Sequence, residues 1–182
     1  MAFSPDALKV VVLGDDGVGK SSLCTQYCKG TFSDYWSPTI GAMFFQKNKE
    51  VDNEVEFHIW DMAGNRRYDS LCPLYLRSAN CVIVLFDVTC QSSFDRVPSL
   101  FGPVECNANG AVMTEKRVVA AADGAELSKQ RDAMYLEASA KSNVNVATLF
   151  QMCALGRYPA HFLRTGGLRL PMLNRPIPCR LD

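Results

Sequence analysis

The segment best suited to chemistry is the loop from Gly14 to Ser21, which has the sequence GDDGVGKS and matches the spacing GxxxxGK[ST]. Its glycines allow backbone N–H groups to turn inward and surround an anion. Lys20 can place a positive charge on the β- and γ-phosphates of a nucleotide, and Ser21 can offer its hydroxyl to Mg²⁺. The residues predicted to bind nucleotide phosphates are Asp16, Gly17, Val18, Gly19, Lys20, Ser21 and Ser22.

The elements around this loop are those that a phosphate site needs. Leu8 to Leu13 is an almost continuous apolar run rich in β-branched residues, which predicts a strand buried on both faces. Lys20 to Lys29 is compatible with a helix, and Gly30 is a natural stop. A strand before the loop and a helix after it place the glycines at a helix N-terminus, where anions bind. This context favours a phosphate site over an incidental glycine-rich turn.

The remaining pattern alternates between strands and helices. We predict strands at Met43 to Glu50, Val55 to Trp60, Cys81 to Asp87 and Met134 to Glu137, and helices at Gln91 to Leu100 (interrupted by Pro98) and Val144 to Leu155. This alternation predicts a single α/β domain with a mainly parallel sheet flanked by helices. Residues 99–116 are rich in Gly, Pro and Asn and offer no convincing strand, so we expect the sheet to lack one strand.

Composition excludes several classes of function. The chain has 182 residues, and its 19 Lys and Arg balance 19 Asp and Glu, so no basic field predicts a nucleic-acid partner. No apolar stretch is long enough to span a bilayer, and the first residues lack the layout of a signal peptide, so we expect a cytoplasmic protein. The eight cysteines have no metal-ligand spacing and are interpreted as reduced thiols.

A second motif, Trp60-Asp61-Met62-Ala63-Gly64, narrows the nucleotide class. Asp61 ends a predicted strand, where a carboxylate can hold Mg²⁺, and the Gly64 N–H can approach a γ-phosphate. This segment resembles the second switch of the Ras superfamily, Asp-x-Ala-Gly-Gln, and Thr39 falls at the family's Mg²⁺-binding threonine. The resemblance implies a P-loop NTPase-type fold that binds GTP or GDP with Mg²⁺ through Ser21, Thr39 and Asp61. It assigns the guanine side of the site to Phe32, Ser139, Ala140 and Lys141.

Within the superfamily the Rab branch is most similar. The resemblance lies in four segments: Ile40 to Phe44, Ile59 to Asp61, Tyr75 to Arg77 and Val84 to Thr89. It implies a vesicle-trafficking switch whose effectors, exchange factors and GTPase-activating proteins contact Phe44, Trp60 and Tyr75. Ordinary core packing is the alternative for these aromatics. The flanking residues are most similar to endosomal Rab proteins, so the finer expectation is the surface of an endosomal membrane.

Two residues depart from the family in ways that predict slow GTP hydrolysis. Asn65 stands where the family keeps the glutamine that orients the attacking water, and it is one methylene shorter. We assign it the catalytic position. Asp16 stands where the family usually has a small residue, and a carboxylate near the γ-phosphate would oppose the charge of the transition state. A side chain turned to solvent is the alternative for Asp16.

The base-reading Asn-Lys-x-Asp motif is missing from the interval between Phe94 and Arg117, which is short by roughly a strand and its loop. We expect residues 1–156 to form the GTPase domain and residues 157–182 a disordered or poorly packed tail. In that tail Cys179 is followed by Arg180 and Asp182, a poor prenylation sequence, so membrane association has little support.

Three hypotheses follow from these observations. The first is a Rab-like GTPase with weak intrinsic hydrolysis. The second is a nucleotide-poor interaction module that keeps the effector face without a working cycle. The third, a P-loop small-molecule kinase, is disfavoured by the segments around Gly64 and Ala140 and by the lack of an arginine-rich lid.

Overall fold

The computed structural model describes residues 7–48, 55–101, 108–113 and 117–155. The six strands are β1 (Leu8–Gly14), β2 (Ala42–Lys47), β3 (Phe57–Met62), β4 (Cys81–Asp87), β5 (Ala108–Met113) and β6 (Met134–Tyr135). The five α-helices are α1 (Lys20–Lys29), α2 (Cys72–Leu76), α3 (Gln91–Phe101), α4 (Ala121–Gln130) and α5 (Val146–Leu155), and a 3₁₀ helix (Arg66–Leu71) precedes α2.

The strands form one sheet in the order β2-β3-β1-β4-β5-β6. Among the described strands, β2 runs antiparallel to its neighbour β3, and the other pairings are parallel. The carboxyl ends of β1, β3 and β4 therefore lie along one edge, which is the edge where open α/β sheets bind ligands. The expected α/β class, with a mainly parallel sheet flanked by helices, is confirmed.

Strand β1 shows why the sheet is covered on both faces. Val10 and Val12 belong to one buried cluster, with α1 and α5, whereas Val11 and Leu13 belong to the other, with α2 and α3. Because alternate side chains of a strand point to opposite faces, an uninterrupted apolar run serves two cores at once. β1 and its two parallel neighbours are thus fixed from both sides, and the loop that follows Leu13 starts from a rigid point.

Most of the sequence-predicted elements are confirmed with small shifts of their ends. β1, α1 and β4 lie where the apolar runs placed them, and β6 and α5 are shorter than expected. The sequence analysis missed α4, the 3₁₀ helix and α2. The expected interruption at Pro98 is wrong, since α3 continues through it to Phe101. Proline removes one helical hydrogen bond, the one its nitrogen would give to the Phe94 carbonyl, and the exposed Pro98 does so without ending the helix.

The expectation that residues 99–116 hold no strand is also wrong. The backbone of β5 pairs in parallel with β4, from Val82 opposite Ala108 to Asp87 opposite Met113. Asn, Gly and Ala are poor strand formers, so the sequence carried little signal here. Backbone N–H and C=O groups of β4 need partners on this side whatever the side chains opposite them, and β5 supplies them. The sheet is therefore complete at this position.

Two other expectations lie outside what the structure tests. The predicted tail, residues 157–182, lies outside the described residues, and so does the end of the predicted strand at residues 49–50. Within the described part of the chain, no helix combines the length and apolar character needed to cross a bilayer.

Candidate functional site

The phosphate loop wraps around the ammonium group of Lys20. The Lys20 Nζ donates to the carbonyl oxygens of Gly14, at 3.1 Å, and Asp15, at 2.6 Å. The residue is only 5% exposed, and burial lowers the pKa of its ammonium group, while the nearby Asp61 carboxylate opposes that shift. A buried cation next to a ring of backbone groups is suited to meet an anion.

Three oxygen-bearing side chains from separate segments meet beside this lysine. The Ser21 hydroxyl, at the start of α1, donates to Asp61 Oδ2 at 2.5 Å and lies 2.9 Å from the Thr39 hydroxyl. The Thr39 hydroxyl itself is 3.4 Å from Asp61 Oδ2. Asp61 is fully buried near the end of β3, and its other oxygen, Oδ1, accepts no hydrogen bond from any described residue.

The state of Asp61 indicates what this cluster is built to hold. Burial raises the pKa of its carboxyl group, whereas the Ser21 hydrogen bond and the Lys20 charge hold that pKa down. A buried carboxylate oxygen without a donor costs stability, which a cation would relieve. A carboxylate with two hydroxyls is a ligand set that Mg²⁺ accepts, since it prefers oxygen ligands and keeps several waters. The structure thus brings together all three predicted metal ligands.

Gly64 lies directly against the phosphate loop. A Cβ atom built on it would come within 2.4 Å of both the Asp15 carbonyl oxygen and the Asp16 amide nitrogen. Only glycine permits this approach, because backbone atoms on the other side cannot move aside as a flexible side chain could. The close contact puts the end of β3 and the start of the 3₁₀ helix beside the place where phosphates would bind.

Asn65, the residue predicted to be catalytic, has a structural task. It is exposed, and its Oδ1 accepts a hydrogen bond from the Arg67 N–H at 3.2 Å, so it caps the 3₁₀ helix. Asparagine is a favoured capping residue because its short side chain reaches the first unpaired N–H groups. In this position the amide is turned to its own backbone rather than toward the loop.

A small cavity of about 70 Å³ marks the phosphate site. The sequence-predicted residues that line it are Asp16, Gly17, Gly19, Lys20, Ser21, Ser22, Thr39 and Gly64. Val18 is 2% exposed and packs in the core beneath the loop, so its contribution is limited to its backbone and to holding the loop in place. Asp16 is exposed at the rim of the cavity, as the solvent alternative proposed, but it still borders the space.

The predicted base-binding residues also come together. The Lys141 Nζ lies 5.9 Å from the centroid of the Phe32 ring and 3.1 Å from the Asp34 carboxylate. The Ala140 carbonyl faces the Gln26 side-chain amide, which can donate to it at 3.3 Å and to the Thr31 carbonyl at 3.1 Å. Gln26 therefore ties the segment that carries Phe32 to the one that carries Lys141.

The turn that holds Lys141 is built locally. The Ser139 N–H donates to the Val144 carbonyl at 2.9 Å, and the Ser139 hydroxyl accepts from the Ser142 N–H at 3.2 Å. Ala140 is 2% exposed, so neighbouring residues cover this side of the turn. The turn lies close to the ring of Phe32 through Lys141.

The three aromatic residues of the predicted effector face are in contact with one another. The ring centroids of Phe44 and Trp60 are 5.0 Å apart, and those of Trp60 and Tyr75 are also 5.0 Å apart. Phe44 is 37% exposed, and the other two are half-buried. The row is therefore partly accessible at the surface, while Trp60 and Tyr75 also pack against the buried cluster that contains Val11 and Leu13.

Comparison with known proteins agrees with this geometry. The Ras family model matches residues 9–156. The chain is 38% identical over 157 residues to "Ras-related protein Rab5A" of Oryza sativa subsp. japonica, covering 80% of this chain and 77% of that protein. It is 38% identical over 159 residues to "GTP-binding protein ypt5" of Schizosaccharomyces pombe, covering 80% and 75%. It is 37% identical over 153 residues to human "Ras-related protein Rab-30", covering 78% and 75%.

The chain belongs to the Ras family of small GTPases. Its matched relatives place it near the Rab proteins, as the resemblance predicted. Membership of the Ras family implies binding of a guanine nucleotide. Unlike the family pattern, its sequence contains no Asn-Lys-x-Asp motif. Residues 114–116, which follow β5, lie outside the described residues.

Four residues at the site of this GTPase were not predicted from the sequence. Trp36, Ser37 and Pro38 line the phosphate cavity, and Arg96 of α3 donates to the side chain of Asp15. The position of Trp36, three residues before Thr39, was a signal for the first. Nothing in the local sequence marked Arg96, because its partners lie more than 25 residues away along the chain.

A Gly64→Ala substitution should lift the start of the 3₁₀ helix from the phosphate loop, since its methyl group would overlap backbone atoms. We expect trypsin to cut after Arg66 and Arg67, both exposed, several-fold faster than in the wild type. Gly17→Ala is the matched control: Gly17 has φ +75° but open space around its Cβ position, so only local strain of about 1 kcal/mol is added. Equal cleavage in both variants would disprove the contact.

Proposed function

We propose that this protein is a Rab-like switch that binds GTP and GDP with Mg²⁺ and regulates vesicle trafficking through effectors, with slow intrinsic hydrolysis. One observation supports this most: the side chains of Ser21, Thr39 and Asp61 meet beside Lys20, and Asp61 Oδ1 is buried with no donor among the described residues. Thr39 comes from residues 31–41, which form neither helix nor strand, whereas Ser21 and Asp61 lie in α1 and β3. A site that takes one metal ligand from a segment outside the helices and strands is suited to respond to a γ-phosphate.

Mg²⁺ held by these three residues would neutralise charge on the β- and γ-phosphates of the bound nucleotide. Lys20 would neutralise the same oxygens from the loop side, where its carbonyl bonds already aim the ammonium. The Gly64 N–H is carried close to the loop by the contact described above. These groups bind and orient the phosphates without requiring a base in the protein.

Two residues that differ from the family pattern, Asn65 and Asp16, support slow hydrolysis. The Asn65 side chain caps the 3₁₀ helix, so no amide is positioned on an attacking water. Asp16 at the cavity rim would add negative charge where the transition state develops it. Both observations predict a protein that stays in its triphosphate state until another protein supplies the missing groups.

The effector side is supported by an exposed apolar surface. Several large apolar residues are highly exposed in the segments that precede or flank Phe44 and Tyr75 in the sequence; they are Tyr35, Trp36, Ile40, Met43 and Leu74. An apolar surface of this kind marks a site for protein partners. We propose that effectors, exchange factors and GTPase-activating proteins contact Phe44, Trp60 and Tyr75 and sense the nucleotide through the adjoining loop. The proposed location is the cytoplasm, at the surface of endosomal membranes.

A nucleotide-poor interaction module is the second candidate, and one observation favours it. No Asn-Lys-x-Asp motif occurs in the sequence, and Lys141 pairs with Asp34 beside Phe32 on the base side. A nucleotide would have to displace or share that ion pair without a base-reading carboxylate to compensate. The module would keep the aromatic row and lose the cycle.

The first prediction tests the phosphate site. Lys20→Ala should abolish binding of a fluorescent GTP analogue, because it removes the loop's charge and its two carbonyl bonds. Lys29→Ala, an exposed lysine in the last turn of the same helix, is the control and should bind normally. Chromatography of nucleotide released from the purified wild type separates the two candidate functions. Equal affinity in the wild type and Lys20→Ala would overturn the phosphate-site assignment.

The second prediction concerns hydrolysis. An Asn65→Gln, Asp16→Gly double variant should release phosphate at least about tenfold faster in single-turnover measurements. The glutamine is long enough to reach an attacking water, and the glycine removes the added charge. The two single variants apportion the effect. No gain in the double variant would show that neither residue limits the chemistry.

The third prediction concerns the base. Phosphate and metal contacts are common to GTP and ATP, so they add affinity without discriminating between the two nucleotides. With the Ala140 N–H and Lys141 as the remaining polar groups, we expect a guanine preference of roughly tens-fold or less. Competition of GTP and ATP for one labelled nucleotide measures it. Phe32→Ala is the control and should weaken both alike, because stacking treats the purines equally.

A preference on the order of ten-thousand-fold would contradict this expectation. It would mean that a carboxylate elsewhere in the chain reads the base edge. Replacing each candidate carboxylate by its amide would then locate it.

A further inference from the structure

One buried arginine joins three segments of the site that are distant in sequence. The Arg96 guanidinium, on α3, donates to the carboxylates of Asp15 in the phosphate loop and Asp69 in the 3₁₀ helix, the latter at 2.7 Å. It also donates to the Gly64 carbonyl oxygen. Its side chain is 4% exposed, so these contacts lie largely out of water.

The arrangement uses properties that only arginine has. Its planar guanidinium presents five N–H donors in a fixed fork, so it can serve three acceptors in different directions. Hydrogen bonds with a charged partner are the stronger ones, and removing one member from a buried set leaves the others without a partner. Arg96 therefore specifies where the three segments lie relative to one another.

Asp15 carries this constraint into the phosphate loop itself. Its side chain accepts from both Arg96 and the Asp16 N–H, at 2.9 Å for the latter, while its carbonyl accepts from Lys20. The carboxylate of one residue thus connects Arg96 to the backbone that would contact phosphates. Gly64, held by the same guanidinium, lies against that backbone with no room for a Cβ atom.

We propose that Arg96 is a positioning residue that holds the segment from Gly64 to Asp69 against the phosphate loop and thereby favours the triphosphate state. The nucleotide half of this inference rests on the proposed GTP/GDP switch. A group that stabilises the closed segment adds to the affinity of any ligand that binds the closed form better. A γ-phosphate beside Gly64 is such a ligand, whereas a diphosphate gains nothing from closure at that point.

The test uses Arg96→Gln, which keeps polarity but removes the charge and the fork. The first measurement is hydrogen exchange of the backbone amides in residues 66–71 of the nucleotide-free protein, where we expect exchange about tenfold faster than in the wild type. The second is the ratio of dissociation constants for a non-hydrolysable GTP analogue and GDP. We expect the preference for the analogue to fall about tenfold, with GDP affinity nearly unchanged.

Two further variants keep the test decisive. Asp69→Asn weakens one partner whose side chain is 49% exposed, so it keeps the fold while accelerating exchange in the same residues. Asp95→Asn is the matched control: Asp95 borders an open groove of about 550 Å³ together with Asp69 and Arg96, but its carboxylate accepts from Gln91 instead. Arg96→Lys retains the charge without the fork and should restore only part of the protection.

Two results would overturn the proposal. One is exchange in Arg96→Gln and Asp69→Asn that matches Asp95→Asn. The other is an unchanged ratio of the two dissociation constants in Arg96→Gln, which includes the equal loss of affinity for both nucleotides that a merely structural role would give. A wild-type protein that binds no nucleotide would refute the proposed function, and the exchange measurement would still decide the role of Arg96.

Discussion

The site depends on the burial of positive charge. Lys20 and Arg96 are both nearly inaccessible to water, and a buried cation is tolerated only when acceptors surround it. Lys20 is satisfied by carbonyls of the phosphate loop, and Arg96 by a loop carboxylate, a carboxylate of the 3₁₀ helix and a carbonyl. The conformation of the phosphate loop is therefore fixed by its hydrogen bonds to these two cations. The residues proposed to contact phosphates lie in that loop, so the same bonds set their positions.

The two carboxylates near Lys20 and Arg96 differ in how fully their oxygen atoms are hydrogen-bonded. Asp61 is buried with one oxygen bonded to hydroxyls and the other without a donor, while Asp15 faces Arg96. Asp61 Oδ1, which has no hydrogen-bond donor among the described residues, belongs to the group of oxygen atoms that is suited to bind a divalent cation. Binding of a divalent cation would therefore supply the positive partner that this buried carboxylate oxygen lacks.

The features that could be predicted from the sequence are those that short sequence patterns determine. The apolar run of β1, the GK[ST] spacing and the stop at Gly30 sufficed for the phosphate loop, and the aromatic row followed from resemblance. β5 was missed because its residues are poor strand formers, and backbone pairing with β4 decides its conformation. The helix cap of Asn65 and the contacts of Arg96 depend on neighbours that the fold brings together, so periodicity could not reveal them.

The placement of the two tryptophans has a practical consequence. The chain contains two tryptophans: Trp36 borders the phosphate cavity, and Trp60 is packed between Phe44 and Tyr75. Indole emission is sensitive to solvent and to neighbouring rings, and the two residues differ in exposure. The protein's tryptophan fluorescence therefore originates beside the phosphate cavity and within the aromatic row, so an unlabelled sample can report both nucleotide binding, through Trp36, and partner docking, through Trp60.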